Sequence, residues 1–260
     1  MSGAIPAELS SSLEVFADQK KVLIALDFDG TLAPLVDDPE ASRIIAPARD
    51  ALERLTALSG VTIALVTGRA IDSVKRVADP LDEWFLVGSH GIEVLEPGEF
   101  MEYHTPWMVP SNLREEFEAV VSAHPGTRLE HKPFGLALHT RGVDASVASA
   151  ADVAAHRLCE NWPGDLVVRT GHGIVECSIK EATKGDGIEE VRRQTSPSST
   201  LFAGDDRTDE DGFAVLGEDD VAIRVGGGET IAPYRLPDAE AVAESLWLIH
   251  DHRTSVETRS

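Results

Sequence analysis

Short apolar runs recur along the chain, and each stops at a glycine or a small polar group. Val22 to Leu26 is the first; residues 61–66 (VTIALV), 84–94 (WFLVGSHGIEV, broken by Gly88 and Gly91), 198–206 (SSTLFAGDD) and 221–226 (VAIRVG) repeat the pattern. Runs of this length, rich in β-branched residues and bounded by turn signals, predict buried strands of a parallel sheet. Between the first two, Ala48, Ala51, Leu52, Leu55 and Leu58 recur at helical spacing, with Pro47 suited to the first turn and Gly60 to the end. A second helix is expected over 70–78, a short one over 208–216, and a last one from Asp238 to about His250, with the residues beyond it frayed. Strands alternating with helices predict an α/β fold, a doubly wound parallel sheet.

The pattern changes between about 99 and 180. A helix is expected over 112–123, capped by Ser111, with Leu113, Phe117, Val120 and Val121 on one face. Polar and apolar residues alternate through 126–141, and an alanine-rich helix follows over roughly 145–160. The stretches DLVVRT and GIVECSI predict a hairpin across Gly171-His172-Gly173. Neighbouring strands with short turns indicate an antiparallel α+β unit inserted into the first fold. The expected division is a core from 1–100 and 180–260, and a cap from 101–179.

Charge narrows the range of partners. Among 260 residues, acids outnumber bases 45 to 23, for a net charge of −22. That balance excludes a basic face for nucleic acid or anionic membrane, and any anionic substrate needs local cations to invert the field. No apolar run approaches a membrane span, and the first residues lack a basic start followed by an apolar block, so a cytoplasmic protein without a secretory signal is expected. Cys159 and Cys177 form no CxxC motif and read as reduced thiols.

Candidate chemistry gathers where strands end. Asp27 and Asp29 close the first run, two apart, and share a side if strand geometry persists that far. Unpaired acids there repel each other and are costly to desolvate, and a divalent cation is the simplest remedy. Thr67 follows the second strand, Lys184 opens a later segment, and Asp205, Asp206 and Asp209 follow the fourth strand. The acidic run 204–211 lacks the glycine and terminal Glu of a calcium loop. Gly226 to Gly228 has no phosphate-loop spacing and reads as a flexible turn. His131, His156 and His172 show no ligand spacing.

Taken in order, DFDGTL, VTGR, a Lys-Gly pair and GDDxTDE resemble the four motifs of the haloacid dehalogenase superfamily of phosphotransferases. GSHGIE (88–93), LEHKPFGLALHTR (129–141), Glu176 and the tail 232–246 are similar to the trehalose-6-phosphate phosphatases. The resemblance covers nearly the whole chain. The segment IKEAT before Lys184 departs from the family, which more often has a short stretch ending in acid or proline there.

The resemblance implies a Mg²⁺-dependent sugar-phosphate phosphatase; a monomer is expected. Asp27 would attack phosphorus and form an aspartyl-phosphate. Asp29 would protonate the departing oxygen and later deprotonate water, with its carboxyl raised by neighbouring carboxylates. Mg²⁺ would bind Asp27, the Asp29 carbonyl and Asp205, while Asp206 or Asp209 would ligate or orient water. Thr67 would hold a phosphate oxygen, beside Gly68 and Arg69, and Lys184 would neutralise charge. His90, Gly91, Glu93, Glu130, Lys132, His139, Arg141 and Glu176 would meet the sugar, with Glu130 and Lys132 satisfying each other in the empty site. Another sugar or pseudo-disaccharide phosphate as substrate, a phosphorylated receiver module and a binding-only relative are the competing readings; a receiver needs only about half this length and gains nothing from an acid at Asp29.

Overall fold

The computed structural model describes residues 5–99, 108–132, 134–171 and 173–257. The chain divides into two compact units, one drawn from 1–100 and 182–260, the other from 101–181. Those boundaries lie two residues beyond the ones expected at the second crossing.

Among the described residues, the first unit is built on a seven-stranded sheet. Its strands are β1 (Val22–Leu26), β2 (Val61–Val66), β3 (Phe85–Gly88), β4 (Glu93–Leu95), β9 (Ser199–Gly204), β10 (Val221–Val225) and β11 (Tyr234–Leu236). They stand in the order β11-β10-β9-β1-β2-β3-β4. All pairings are parallel except β3 with β4. β1 lies at the centre, in register with β2 from Val22–Val61 to Leu26–Leu65 and with β9 from Val22–Ser199 to Leu26–Ala203. Every residue of β1 is buried, as a strand covered on both faces requires. Its Leu23 and Ala25 pack with Val66, Val87 and Phe202 against Ile188 and Val191 of α6 (Lys184–Thr195) and Phe213 of α7 (Asp209–Ala214). A second group of helices, α1 (Ala7–Ala17), α2 (Ala46–Thr56) and α8 (Ala239–Glu257), pack on one another, and α3 (Ile71–Ala78) follows β2.

The run 84–94 breaks at Gly88 and Gly91 into two strands separated by a tight turn, Ser89–Gly91. Three features differ from the expectation. α1 was not foreseen. β11 adds a short edge strand. α8 continues to Glu257 instead of fraying after His250, because Arg253 is buried and donates to the carbonyls of Ala17, Gln19 and Ser59.

The second unit is a four-stranded antiparallel sheet in the order β5-β6-β8-β7. The strands are β5 (Arg128–Lys132), β6 (Gly135–His139), β7 (Val167–Gly171) and β8 (Ile174–Ser178). Two helices cover one face, α4 (Ser111–Ala123) and α5 (Ala145–Glu160). Leu136, Leu138, Val175 and Cys177 point into that layer against Leu113, Phe117, Ala151 and Cys159. Ser111 is the first helical residue of α4, not its cap; Pro110 precedes it and no side chain caps the end. The β7–β8 hairpin forms as read, although His172 at its turn is outside the described residues, as are 100–107 at the start of the expected cap. Both cysteines are free and buried. No helix among the described residues is long and apolar enough to cross a membrane.

Candidate active site

β1 and β9 stop one residue before the first acid of each motif, so adjacent parallel strands deliver Asp27 and Asp205 at their carboxyl ends. The Asp27 amide donates to the Ala203 carbonyl, which extends the ladder to the residue that bears the acid. Asp209 opens α7, and Lys184 opens α6 behind a capping box formed by Thr183 and Asp186. The Lys184 ammonium donates to Asp27 Oδ1 and Asp209 Oδ1, each at 2.7 Å, and all three side chains are buried. Oxygens of Asp27, Asp205 and Asp209 lie within 4.8 Å of one another.

One ammonium does not balance three carboxylates. Burial lowers the affinity of Lys184 for its proton, but Asp209 and Asp27 outweigh that and raise it, so it stays charged. Burial pushes Asp27 well above the usual carboxylate range, and Asp209, Asp205 and Asp206 add to the push against Lys184. Asp209 is raised for the same reason. Asp205 is raised to about 6, by burial and then by Asp209 and Asp206. A cluster of hard oxygen donors with surplus negative charge fits a hard divalent cation such as Mg²⁺.

Gly30 allows the first and last motifs to meet. Its φ is +83°, and a Cβ there would lie 2.1 Å from Asp205 Oδ2. Gly30→Ala is therefore expected to displace Asp205, lowering Tm by several degrees and weakening Mg²⁺ retention in a calorimetric titration.

The Asp29 carboxylate is not part of the group formed by Asp27, Asp205 and Asp209. Strand geometry ends at Leu26, and the Asp29 carboxylate turns to Arg69, whose Nε and Nη2 donate at 2.5 and 2.8 Å. Ser42 Oγ donates to Asp29 Oδ1 at 3.0 Å. Its hydrogen-bond partners are a guanidinium and a hydroxyl. Asp206 likewise differs from its expected role as ligand. It is exposed, and its Oδ1 accepts from the Thr208 amide and hydroxyl. Five acids cluster in sequence terms, but three carboxylates converge.

Thr67 is buried at the end of β2, and its Oγ1 accepts from the Arg69 amide at 3.1 Å. The turn 89–91 closes over this loop: Ser89 N donates to Arg69 O, and His90 N to Thr67 O. Ser89, His90 and Gly91 all have positive φ, which is costly for the first two. Ser89 Oγ bonds the buried Glu93 carboxylate, tying the turn to β4. A Cβ on Gly68 would lie 2.4 Å from the His90 ring, so glycine there permits the close approach of the two loops.

In the second unit, registry places Glu130, Ala137, Glu176 and Arg169 in one row across the sheet face opposite α4 and α5. Glu130 and Lys132 share that face, as alternation predicted, but they do not pair with each other. Lys132 Nζ reaches past the small Gly135 and Ala137 of β6 to Glu176 Oε2 at 2.7 Å, and both are buried. His139 Nε2 lies 2.8 Å from Glu130 Oε2. Burial alone would raise Glu130, but the His139 hydrogen bond and the nearby Lys132 charge outweigh it and lower the carboxyl to about 2. Arg141 is exposed in the turn after β6. Sequence reasoning missed Ser42 and Arg169; nothing in their local pattern distinguishes them.

The family model described as trehalose-phosphatase matches residues 25–239. A bifunctional trehalose-6-phosphate synthase/phosphatase of Thermoproteus tenax is 31% identical over 243 residues, covering 89% of this chain and 32% of that protein. The trehalose-6-phosphate phosphatase of Escherichia coli is 29% identical over 227 residues, covering 86% of this chain and 84% of that one. The chain thus spans about a third of the first relative and most of the second. A solved C-terminal domain of C. albicans trehalose-6-phosphate phosphatase superposes with a TM-score of 0.76 at 21% identity, covering 96% of this chain and 99% of that one, a likeness of fold.

Proposed function

The chain belongs to the trehalose-phosphatase family, and on that premise we propose that it hydrolyses trehalose 6-phosphate to trehalose and phosphate through an aspartyl-phosphate. The observation that carries this reading is Lys184 bridging Asp27 and Asp209 with the Asp205 carboxylate beside them. Asp27 Oδ attacks phosphorus; the phosphorus–oxygen bond to the sugar breaks, and Asp29 gives its proton to the departing oxygen. Water then attacks the acyl phosphate, Asp29 takes the water's proton, and phosphate leaves with Asp27 restored. Lys184 holds the nucleophile and offsets charge that builds on the phosphoryl group. The Thr67 hydroxyl, fixed by the Arg69 amide, is placed to meet a phosphate oxygen. Asp27, Asp205 and Asp209 would hold Mg²⁺, which supplies Lewis acidity toward the phosphoryl oxygens. Family membership removes the receiver-module alternative.

One sheet face of the second unit has the chemistry to hold a sugar. Its Lys132–Glu176 and Glu130–His139 pairs are charged donors and acceptors suited to hydroxyls, and a site built for hydroxyls rejects ligands that leave its groups unpaired. The test is phosphate release, with Mg²⁺, from trehalose 6-phosphate, sucrose 6-phosphate, glucose 6-phosphate and p-nitrophenyl phosphate. Trehalose 6-phosphate is expected to have the highest kcat/KM, and no release from any of the four would overturn the reading. Glu130→Ala and Lys132→Ala should each lower kcat/KM on the disaccharide phosphate by about one to two orders of magnitude and scarcely alter p-nitrophenyl phosphate. Equal losses on both substrates would remove these residues from sugar recognition.

A further inference from the structure

Asp29 is one-third exposed, yet three side-chain hydrogen bonds hold its carboxylate. Arg69 grips both of its oxygens. The guanidinium is itself fixed, with Nη2 on the Pro39 carbonyl at 2.9 Å, Nη1 on Ser73 Oγ at 3.3 Å, and its plane 5.4 Å from the Phe28 ring centre. The third grip comes from Ser42, which is fully buried although it lies in a polar, proline-marked connection. A 3-10 turn, Pro39–Ala41, capped by the Asp38 side chain, turns the chain so that Ser42 follows it directly. Ile45 then returns to the Leu32 carbonyl, which anchors the far side of the connection.

We propose that Ser42 is a positioning residue for Asp29. This rests on the reading of Asp29 as proton donor to the leaving group. The two carboxylate oxygens are held unequally. Oδ1 accepts from both Ser42 Oγ and Arg69 Nη2, which occupies its two lone-pair directions; Oδ2 accepts from Arg69 Nε alone. Without Ser42, Oδ1 has one anchor, and the carboxyl rotates about the Arg69 fork and spends less time aligned with the leaving oxygen.

Such a role is read by leaving-group dependence, because a good leaving group needs no proton. Wild type, Ser42→Ala and Ser42→Thr would be assayed on p-nitrophenyl phosphate, phenyl phosphate and trehalose 6-phosphate, with thermal melts alongside. Ser42→Ala is expected to lose about tenfold in kcat on phenyl phosphate and trehalose 6-phosphate, and less than about twofold on p-nitrophenyl phosphate. Ser42→Thr, if it melts like wild type, should restore most of the loss. In an Asp29→Asn background, Ser42→Ala should cost nothing further on phenyl phosphate. Equal losses across the three substrates, or an undiminished loss in the Asp29→Asn background, would overturn the proposal. Should Asp29→Asn itself lose equally on phenyl and p-nitrophenyl phosphate, the proton-donor reading fails and this one with it, while the assignment of Asp27 as nucleophile stands.

Discussion

Asp27→Asn is expected to lower phosphate release by more than about a thousandfold while leaving the fold intact. The amide has the shape of the acid but no anionic oxygen to attack phosphorus. Its surroundings tolerate the exchange. Asp27 is 4% exposed, ends a fully buried strand and is hydrogen-bonded through its backbone amide to Ala203, none of which the substitution touches. The amide oxygen can still accept from Lys184, which keeps its second partner Asp209. Removing one charge from a crowded group of carboxylates also relieves repulsion, since burial and the three other acids already push Asp27 upward. Tm should therefore stay level or rise. The measurement pairs single-turnover phosphate release with a thermal melt. A variant that kept a tenth of wild-type activity would show that Asp27 is not the nucleophile, and a collapsed melt would show that Asp27 is needed to hold α6 and β1 together.

The central strands were legible because parallel strands buried on both faces leave an uninterrupted apolar record. β1, β2, β9 and β10 each read that way, and their ends placed Asp27, Thr67 and Asp205 in one region of the sheet. α1 left a fainter record. Three consecutive serines, which carry no helical preference, separate its buried Leu9 from the buried Leu13, Phe16 and Ala17. The end of α8 is polar, and it is held by long-range bonds of Arg253 and of His252, whose Nε2 lies 2.8 Å from Asp18 Oδ1. The same limit governs the side-chain partners. Alternation put Glu130 and Lys132 on one face, but Lys132 finds its partner 44 residues away and Glu130 finds His139 nine away. Ser42 reaches Asp29 across 13 residues, from a connection whose composition signals only a turn. Local patterns record burial and backbone geometry; partner choice in a polar site depends on registry and loop paths that they do not encode.

That registry leaves the three-carboxylate group only partly compensated by Lys184, with a consequence for stability that is opposite in sign with and without metal. Chelation should abolish activity and Mg²⁺ should restore it. In chelator, Asp205→Asn is expected to raise the stability of the protein, although the same change should abolish activity in Mg²⁺. Asp205 is raised from 3.8 to about 6 in the fold, by burial first and then by Asp209 and Asp206. A raised acid binds its proton more tightly folded than unfolded. Its stabilising contribution is therefore gained as pH falls through about 6 toward 4, and its ionisation destabilises the fold at neutral pH. At about 1.4 kcal/mol for each tenfold change in proton affinity the ceiling is about 3 kcal/mol, and solvent screening at this partly exposed group leaves roughly 1–2 kcal/mol. Metal-free wild type should accordingly melt a few degrees higher at pH 5 than at pH 7, and Asp205→Asn should remove most of that difference. Saturating Mg²⁺ should invert the order, stabilising wild type by about 2.7 kcal/mol at a hundred times its Kd and the variant by much less. Thermal melts of the two proteins, in chelator and in Mg²⁺, at both pH values, provide the check. A metal-free Asp205→Asn protein less stable than wild type at pH 7 would mean that the carboxylate is stabilising as it stands, and the case for a divalent cation as the balancing charge would lose its physical basis.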